Sequence, residues 1–455
     1  MSVVPTERSA TVLRATAGVV AAHAEEIATV FYRRLLTADP SLAPIFSRSG
    51  QATGTQPRAL AASLVRFTGH LLDEPDARTE HEAEAGTTTE GQGGPGPGNR
   101  TGIGADSSSG IGAESGPGRE AGTGPGTGAG PGPGARQPID TVVRRIAHRH
   151  AALGVAPEQY PLVGRHLLAA VAEVLGDAVT PEVHDAWDEA YWLFATALIA
   201  EEARAYQRMG TCPARPWRPW RVTARTIATS EVTSFDLVPT GPDPLPAFLP
   251  GQYVTVAVDL PDGGRQARPY SLSRAPGAGS LRITVRRLPA VGSAPEGLVS
   301  SHLHEQVKVG DVLDVSPPAG STTLTPGTDP LVLISAGIGI TPMIAMLGHT
   351  ARLRPERTVV AAHADRSRDH HPLRAEMLEI GALLRDFQLH TRYEPHSPVQ
   401  IDVNALPLPD RARVYLCGPL PFMRDVRAGL LRRGIPADHI RHEIFGPDPW
   451  AGNPT

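Results

Sequence analysis

Residues 146–160 read IAHRHAALGVAPEQY: two histidines, His148 and His150, stand two apart, and Tyr160 follows ten residues after the second. Neutral imidazole is a common ligand for transition metals. On a helix, residues two apart point about 200° away from each other, so at most one of the pair can face a given metal ion. The other is expected at the surface. Further along, LVLIS runs into AGIGITP, which sets Gly337 and Gly339 between a strand pattern and a helix pattern. Glycines at such a turn let backbone N–H groups approach a phosphate at the helix N-terminus. A plain tight turn uses the same residues, so the strand–turn–helix setting is what gives the pattern weight. Arg268 and Tyr270 in RPYSLS, with Tyr253 in PGQYV, offer a cation for a pyrophosphate and faces for a planar ring. The next strand ends in AAHADRSRD, where Asp365 suits a ribose hydroxyl and Arg366, Ser367 and Arg368 suit a 2′-phosphate. His370 and His371 in the same loop read as surface histidines rather than metal ligands.

These groups lie far apart in sequence and need a scaffold. Residues 7–72 have a helical pattern; RALAASLVRFTGHLLD places Leu60, Leu64, Phe67 and Leu71 on one face. LTADPSLAPIF before it, with two prolines, reads as a corner. Residues 74–138 are low-complexity, and 18 of the 47 glycines fall between Gly91 and Gly134. Nothing there can be buried to offset the entropy of ordering, so disorder is expected. The helical pattern resumes from Ile139 to Tyr206, with Thr180 as N-cap and Pro181 at the first helical position. The low-complexity stretch therefore reads as an insertion within one helical domain, 1–207. A loop lengthened sixfold costs only about 1.6 kcal/mol more to close. After PWRPW the pattern turns to short strands, a small all-β barrel over 216–326. From 327 to 455 strands alternate with helices, which implies an α/β domain with a parallel sheet.

Composition agrees with several cores and excludes some classes. The 455 residues fit about three domains, and 40% are apolar. The formal net charge is −4 without a long basic run, so nucleic acid is not an expected partner. Cys212 and Cys417 form neither a disulfide framework nor a thiolate metal site, and fit a reducing compartment. The first residues carry charges where an export signal needs an apolar stretch. The uncharged run at 330–351 is broken by Gly337, Gly339 and Pro342, so it reads as strand, turn and helix rather than a membrane span. A cytoplasmic protein, monomeric or weakly dimeric, is expected.

PGQYV and RPYSLS in a barrel, followed by a nucleotide-binding βαβ series with LCGP, resemble the ferredoxin–NADP reductase superfamily over residues 220–450. By that resemblance Tyr253, Arg268, Pro269, Tyr270 and Ser271 line FAD, and Gly297 to Ser300 approach its pyrophosphate. Gly337, Ile338, Gly339, Ile340, Thr341 and Pro342, with Cys417 and Gly418, would meet the nicotinamide nucleotide, NADPH or NADH. Glu443, Ile444, Phe445, Gly446 and Pro447 would pack on the flavin.

Ahead of that module, FYRRLLTADPSLAPIFSRSGQATGTQPRAL and HRHAALGVAPEQYPLVGRHLLAAV resemble the globin part of flavohemoglobins, the nitric oxide dioxygenases. The similarity spans nearly the whole chain apart from 74–138. It implies that His150 is the proximal ligand of heme b and that His148 is not. Tyr160 and Glu202 would hydrogen-bond the free ring nitrogen of His150, fix its tautomer and push electron density to the iron. Tyr32 and Gln56 would lie over the other heme face, with Leu60 closing the pocket and Phe46 on the heme plane. Arg149 and Glu443 match a pair at the domain junction. The implied reaction converts NO and O2 to nitrate with electrons from NAD(P)H, through FAD, to heme. The alternatives are an O2-carrying or O2-sensing globin and a flavin reductase with a vestigial globin. Three residues depart from the usual pattern: Arg149 for lysine, Pro269 for glutamine and Ile444 for cysteine.

Overall fold

Helix α1 (Glu7–Ala22) starts at Thr6, whose hydroxyl accepts from the Ser9 amide, and α2 (Ala24–Ala38) follows after a one-residue break at His23. Over residues 7–38 the continuous helical pattern is thus two helices. The computed structural model describes residues 5–40, 42, 67–70, 72, 139–260, 264–290, 292, 295–395 and 400–445. The expectations for the insertion at 74–138, and for Phe46, Gln56, Leu60, Leu64, Leu71, Gly446 and Pro447, fall outside these residues.

Among the described residues three more long helices belong to the helical region: α3 (Ile139–Leu153), α4 (Tyr160–Leu175) and α5 (Pro181–Met209). The Thr180 hydroxyl caps α5 through the Val183 amide, with Pro181 at its first turn as the sequence suggests, and left-handed Gly210 ends it. Leu13, Ile27, Phe31, Leu35, Phe67, Leu167 and Trp187 share one core.

Six antiparallel strands follow: β1 (Arg218–Thr229), β2 (Val232–Pro239), β3 (Tyr253–Asp259), β4 (Arg265–Ser271), β5 (Leu281–Arg286) and β6 (Val312–Val315). Their order is β4-β3-β6-β1-β2-β5, and a bridge between Leu272 and Ile283 joins the two edges into the expected barrel. A short helix, α6 (Leu298–Glu305), precedes β6.

A five-stranded parallel sheet then forms from β7 (Leu331–Ala336), β8 (Val359–Asp365), β9 (Phe387–Tyr393), β10 (Arg413–Cys417) and β11 (Ile440–Glu443). Its order is β11-β10-β7-β8-β9. Helices α7 (Ile340–Leu353), α8 (Arg374–Gly381) and α9 (Leu420–Arg432) make the crossovers. Every residue of β7 and β8 is buried, as strands covered on both faces must be. The apolar run at 330–351 is therefore a core strand and helix, and no helix among the described residues is long and apolar enough to cross a membrane.

Candidate functional site

Helix α5 carries a buried stripe: Tyr191, Ala195, Leu198, Glu202, Ala205 and Tyr206 recur at helical spacing. Glu202, only 1% exposed, is the acidic member of that stripe. Its neighbour Glu201 instead pairs with Arg204, so register separates the two glutamates as expected. Opposite Glu202, α3 presents His150 and α4 begins with Tyr160. The Tyr191 hydroxyl donates to the Tyr160 carbonyl at 2.6 Å and fixes the start of α4. Tyr191 can lie there because Gly164 has no side chain; a Cβ at 164 would run into the tyrosine ring.

His150 Nδ1 is 2.7 Å from Glu202 Oε1 and 3.2 Å from the Tyr160 hydroxyl, which itself donates to Glu202 Oε1 at 2.5 Å. Burial first, and then the Glu202 charge, push the Tyr160 phenol far above its ordinary range, so it stays a donor. Glu202 Oε2 is buried with no hydrogen-bond partner. With its proton on Nδ1 and held by a carboxylate, the imidazole has its Nε2 lone pair free for a metal. Among the described residues no group of three or more His, Cys, Asp or Glu side chains could cage an ion. A single strongly polarised imidazole suits iron that a macrocycle already holds, so the donor set fits heme.

Tyr32 is buried in the same helical core, edge-on to Phe31 at 4.9 Å, and burial raises its phenol well above the ordinary range. It remains a neutral donor. Gln56, Phe46 and Leu60, assigned beside it, lie outside the described residues.

The other expected surface histidine is not at the surface. His148 is only 8% exposed, and the Gly320 amide donates to its Nδ1 at 3.2 Å. It does face away from His150, as helical geometry requires. The opposite face of α3, however, packs on the barrel instead of water. Burial, with Arg208 nearby, depresses the His148 pKa to about 4. Arg149 lies between these two faces and donates to the Ile444 carbonyl at 2.7 Å, with Glu443 at 4.0 Å. The junction pair therefore meets, but its close contact is to the backbone.

In the barrel, β3 and β4 align Tyr253 with Ser271, Val254 with Tyr270, Thr255 with Pro269 and Val256 with Arg268. The two motifs are direct neighbours, as their sequences suggest. Arg268 donates to the Ala267 carbonyl at 2.6 Å and to Gln266 Oε1 at 2.7 Å, and burial lowers its pKa. The Tyr253 hydroxyl is buried without a hydrogen-bond partner, an orphan that a bound polar group would satisfy. Gly297 caps α6, where a Cβ would meet Leu288 Cβ at 2.9 Å. The Ser300 hydroxyl donates to the Gly297 carbonyl at 2.8 Å and accepts from the Leu288 amide, so it braces the loop at a helix N-terminus, the kind of place that suits a phosphate. These features fit a flavin dinucleotide.

In the parallel sheet, Gly337 adopts φ +53° at the end of β7, and Gly339 sits where a Cβ would strike the Cys417 carbonyl and lie 2.9 Å from the Gly418 amide. Ile340, Thr341 and Pro342 open α7, all buried. Two βα turns thus press together at the carboxyl edge of the sheet, the place where open α/β sheets bind nucleotides. Burial pushes the Cys417 thiol up, so it is no nucleophile here. Asp365 ends β8 with Oδ1 on the Arg366 amide at 2.8 Å and Oδ2 3.4 Å from His363 Nε2. Arg366 donates to Glu231 Oε2 at 2.7 Å, and the Ser367 hydroxyl lies 2.8 Å from His370 Nδ1. Arg368 is exposed.

His371 corrects the surface reading of its loop. It is 4% exposed, stacks on His363 with ring centroids 3.8 Å apart, and has Nδ1 3.0 Å from the Tyr393 hydroxyl. The loop folds back over the sheet edge, and burial lowers its pKa to about 2.

A globin family matches residues 135–198, an oxidoreductase FAD-binding domain 219–324, and an oxidoreductase NAD-binding domain 333–428. The flavohemoprotein of Rhizobium meliloti is 34% identical over 98% of this chain and 99% of its own length. The chain belongs to the flavohemoprotein family. The relative from Deinococcus radiodurans is also 34% identical over 96% of each chain, and flavohemoprotein A of Dictyostelium discoideum is 31% identical over 97% of this chain and 98% of its own. Among solved structures, the flavohemoglobin of Malassezia yamatoensis, determined with bound FAD and heme, superposes with a TM-score of 0.75 at 30% identity. It covers 97% of this chain and 99% of its own.

Proposed function

We propose that this flavohemoprotein is a nitric oxide dioxygenase, taking electrons from NADPH or NADH and using NO and O2 as small-molecule substrates in the cytoplasm. The observation that carries this reading is the buried His150–Glu202–Tyr160 constellation. A globin that only stores O2 has no need of a carboxylate driving its proximal imidazole, whereas an enzyme that reduces and activates O2 does. When bound, FAD accepts hydride and releases single electrons, and heme b supplies the oxygen-binding iron.

The chain's own residues then have these parts. His150 would hold the heme iron, and Glu202 keeps the ring proton on Nδ1 while Tyr160 holds the carboxylate. Tyr32, and Gln56 by the same assignment, would donate to negative charge developing on the substrate. Tyr253, Arg268, Pro269, Tyr270 and Ser271 form the flavin platform, and the Gly297 turn takes its pyrophosphate. The turns at Gly337–Pro342 and Cys417–Gly418 take the nicotinamide nucleotide. Support for this division comes from the three family matches and from the related structure that holds both cofactors.

The test is NO consumption at an electrode, with protein loaded with heme and FAD and supplied with NADPH, first in air and then without oxygen. Fast loss in air that collapses anaerobically, with nitrate as product, is expected. Equal, slow loss under both conditions would overturn the reading and leave a flavin reductase or an O2-sensing globin.

A further inference from the structure

We propose that His148 is a positioning residue: it locks the helix that carries His150 to the flavin-side barrel, and so governs electron transfer from flavin to heme. The inference rests on the cofactor assignments above.

Residues i and i+4 of a helix share a face, so His148 and Ala152 form one stripe of α3, and His150 lies on the other side. The His148 stripe meets a short, rigid piece of the barrel. Tyr253 and Ala319 exchange backbone hydrogen bonds of 2.9 and 2.8 Å, and Ala152 packs into the buried cluster that both residues form. Gly320, the next residue, donates its amide proton to His148 Nδ1. It holds φ +113°, and a Cβ there would touch the Tyr253 ring at 3.1 Å. One turn thus packs against the aromatic ring assigned to the flavin and also supplies the donor to His148. A second tie stands one turn along, where Trp217 Nε1 donates to the Ala152 carbonyl at 3.1 Å.

The Gly320 amide is buried, and without an acceptor its desolvation would go uncompensated. The imidazole therefore fixes where the turn sits against α3. Electron transfer depends steeply on how the two redox groups are placed, and small displacements cost large factors in rate. Nothing about His148 requires it to touch either cofactor.

The experiment uses the full chain with both cofactors. His148→Phe keeps an aromatic ring and removes the acceptor. His148→Asn restores an acceptor, because its Oδ1 sits close to the place of Nδ1. After mixing with NADPH, heme reduction in His148→Phe should slow roughly ten- to a hundredfold. Ferricyanide reduction and the heme Soret band should stay at wild-type levels. The Gly320 amide should exchange with deuterium faster in His148→Phe, and His148→Asn should recover most of both effects. Wild-type heme reduction in His148→Phe, or equal slowing in the two variants, would overturn the proposal, the second because packing alone would then explain it. A wild-type chain that reduces ferricyanide but binds no heme would overturn the cofactor assignment instead. The exchange contrast needs no heme and still decides whether the contact exists.

Discussion

The sites proposed for heme and for the nicotinamide nucleotide solve the same problem in different materials. Around His150 the working atoms are side chains drawn from three helices, α3, α4 and α5, joined by hydrogen bonds of 2.5–3.2 Å. At the sheet edge they are backbone atoms of two turns, and the essential feature is the missing Cβ of Gly339. Side chains can be exchanged for near-isosteres and lose function by degrees. A backbone approach with no free space tolerates nothing larger. The contrast predicts a steep loss at Gly339 and graded losses at the proximal triad.

Gly339→Ala should have the largest effect. Its Cβ would fall on the Cys417 carbonyl and beside the Gly418 amide, backbone atoms fixed by β10. Overpacking against backbone costs roughly 1–3 kcal/mol or displaces the turn. NADPH-dependent ferricyanide reduction is expected to fall about a hundredfold or more, with heme content unchanged. Gly337→Ala sharpens the point. Its φ of +53° costs about 1–2 kcal/mol for a side chain, but the nearest atom to its Cβ is Arg286 Nη1 at 3.9 Å. That variant should be less stable yet keep nucleotide turnover. Equal behaviour of the two alanines would show that conformation, not close approach, decides this site.

Glu202→Gln comes next. The amide keeps the shape but removes the charge that faces His150 Nδ1. Loss of such a partner typically costs 10–100-fold in activity. NO consumption should fall within roughly that range while ferricyanide reduction is unaffected, and resonance Raman should show a weaker iron–histidine stretch. A glutamine variant with wild-type turnover would break the graded picture. Tyr160→Phe should do less, because His150 keeps its bond to Glu202. The loss of one hydrogen bond, about 1 kcal/mol, corresponds to roughly a fivefold drop in NO turnover. If Tyr160→Phe proved as damaging as Glu202→Gln, the hydroxyl would be holding the helix rather than the carboxylate.

The same contrast explains what is legible in the sequence. The nucleotide turn is local: strand, glycines and helix are contiguous from 331 to 353, so periodicity and turn chemistry suffice to read it. The barrel strands likewise show their pairing, since Tyr253 and Ser271 lie in adjacent motifs. The triad is not local. His150 and Glu202 are 52 residues apart, and only helical register distinguishes Glu202 from Glu201. His148 passes for a surface residue because its partner is Gly320, 172 residues away, and no periodicity in α3 records what covers its second face. His371 does so because DRSRDHHP is polar enough to look like a solvated loop. Only the fold shows that its ring stacks on His363 from the interior of β8.

That buried pair should leave turnover at neutral pH unmoved, and it tests through stability whether histidine burial here is structural. His371 has a pKa of about 2 in the folded chain against an ordinary value of 6.5, and burial also lowers that of His363. Between those values the unfolded chain binds a proton that the folded chain refuses. Stability from this group is therefore complete above about pH 6.5 and declines as pH falls, by at most about 1.4 kcal/mol per pH unit. His371→Phe keeps the stacked ring and cannot be protonated. At pH 7 it should be slightly weaker than wild type, because the contact with the Tyr393 hydroxyl is lost. At about pH 4.5 the order should reverse, read as the urea midpoint for loss of ferricyanide reductase activity. Parallel curves for the two proteins would mean that His371 takes up its proton in the folded state, and that the loop opens to let it do so.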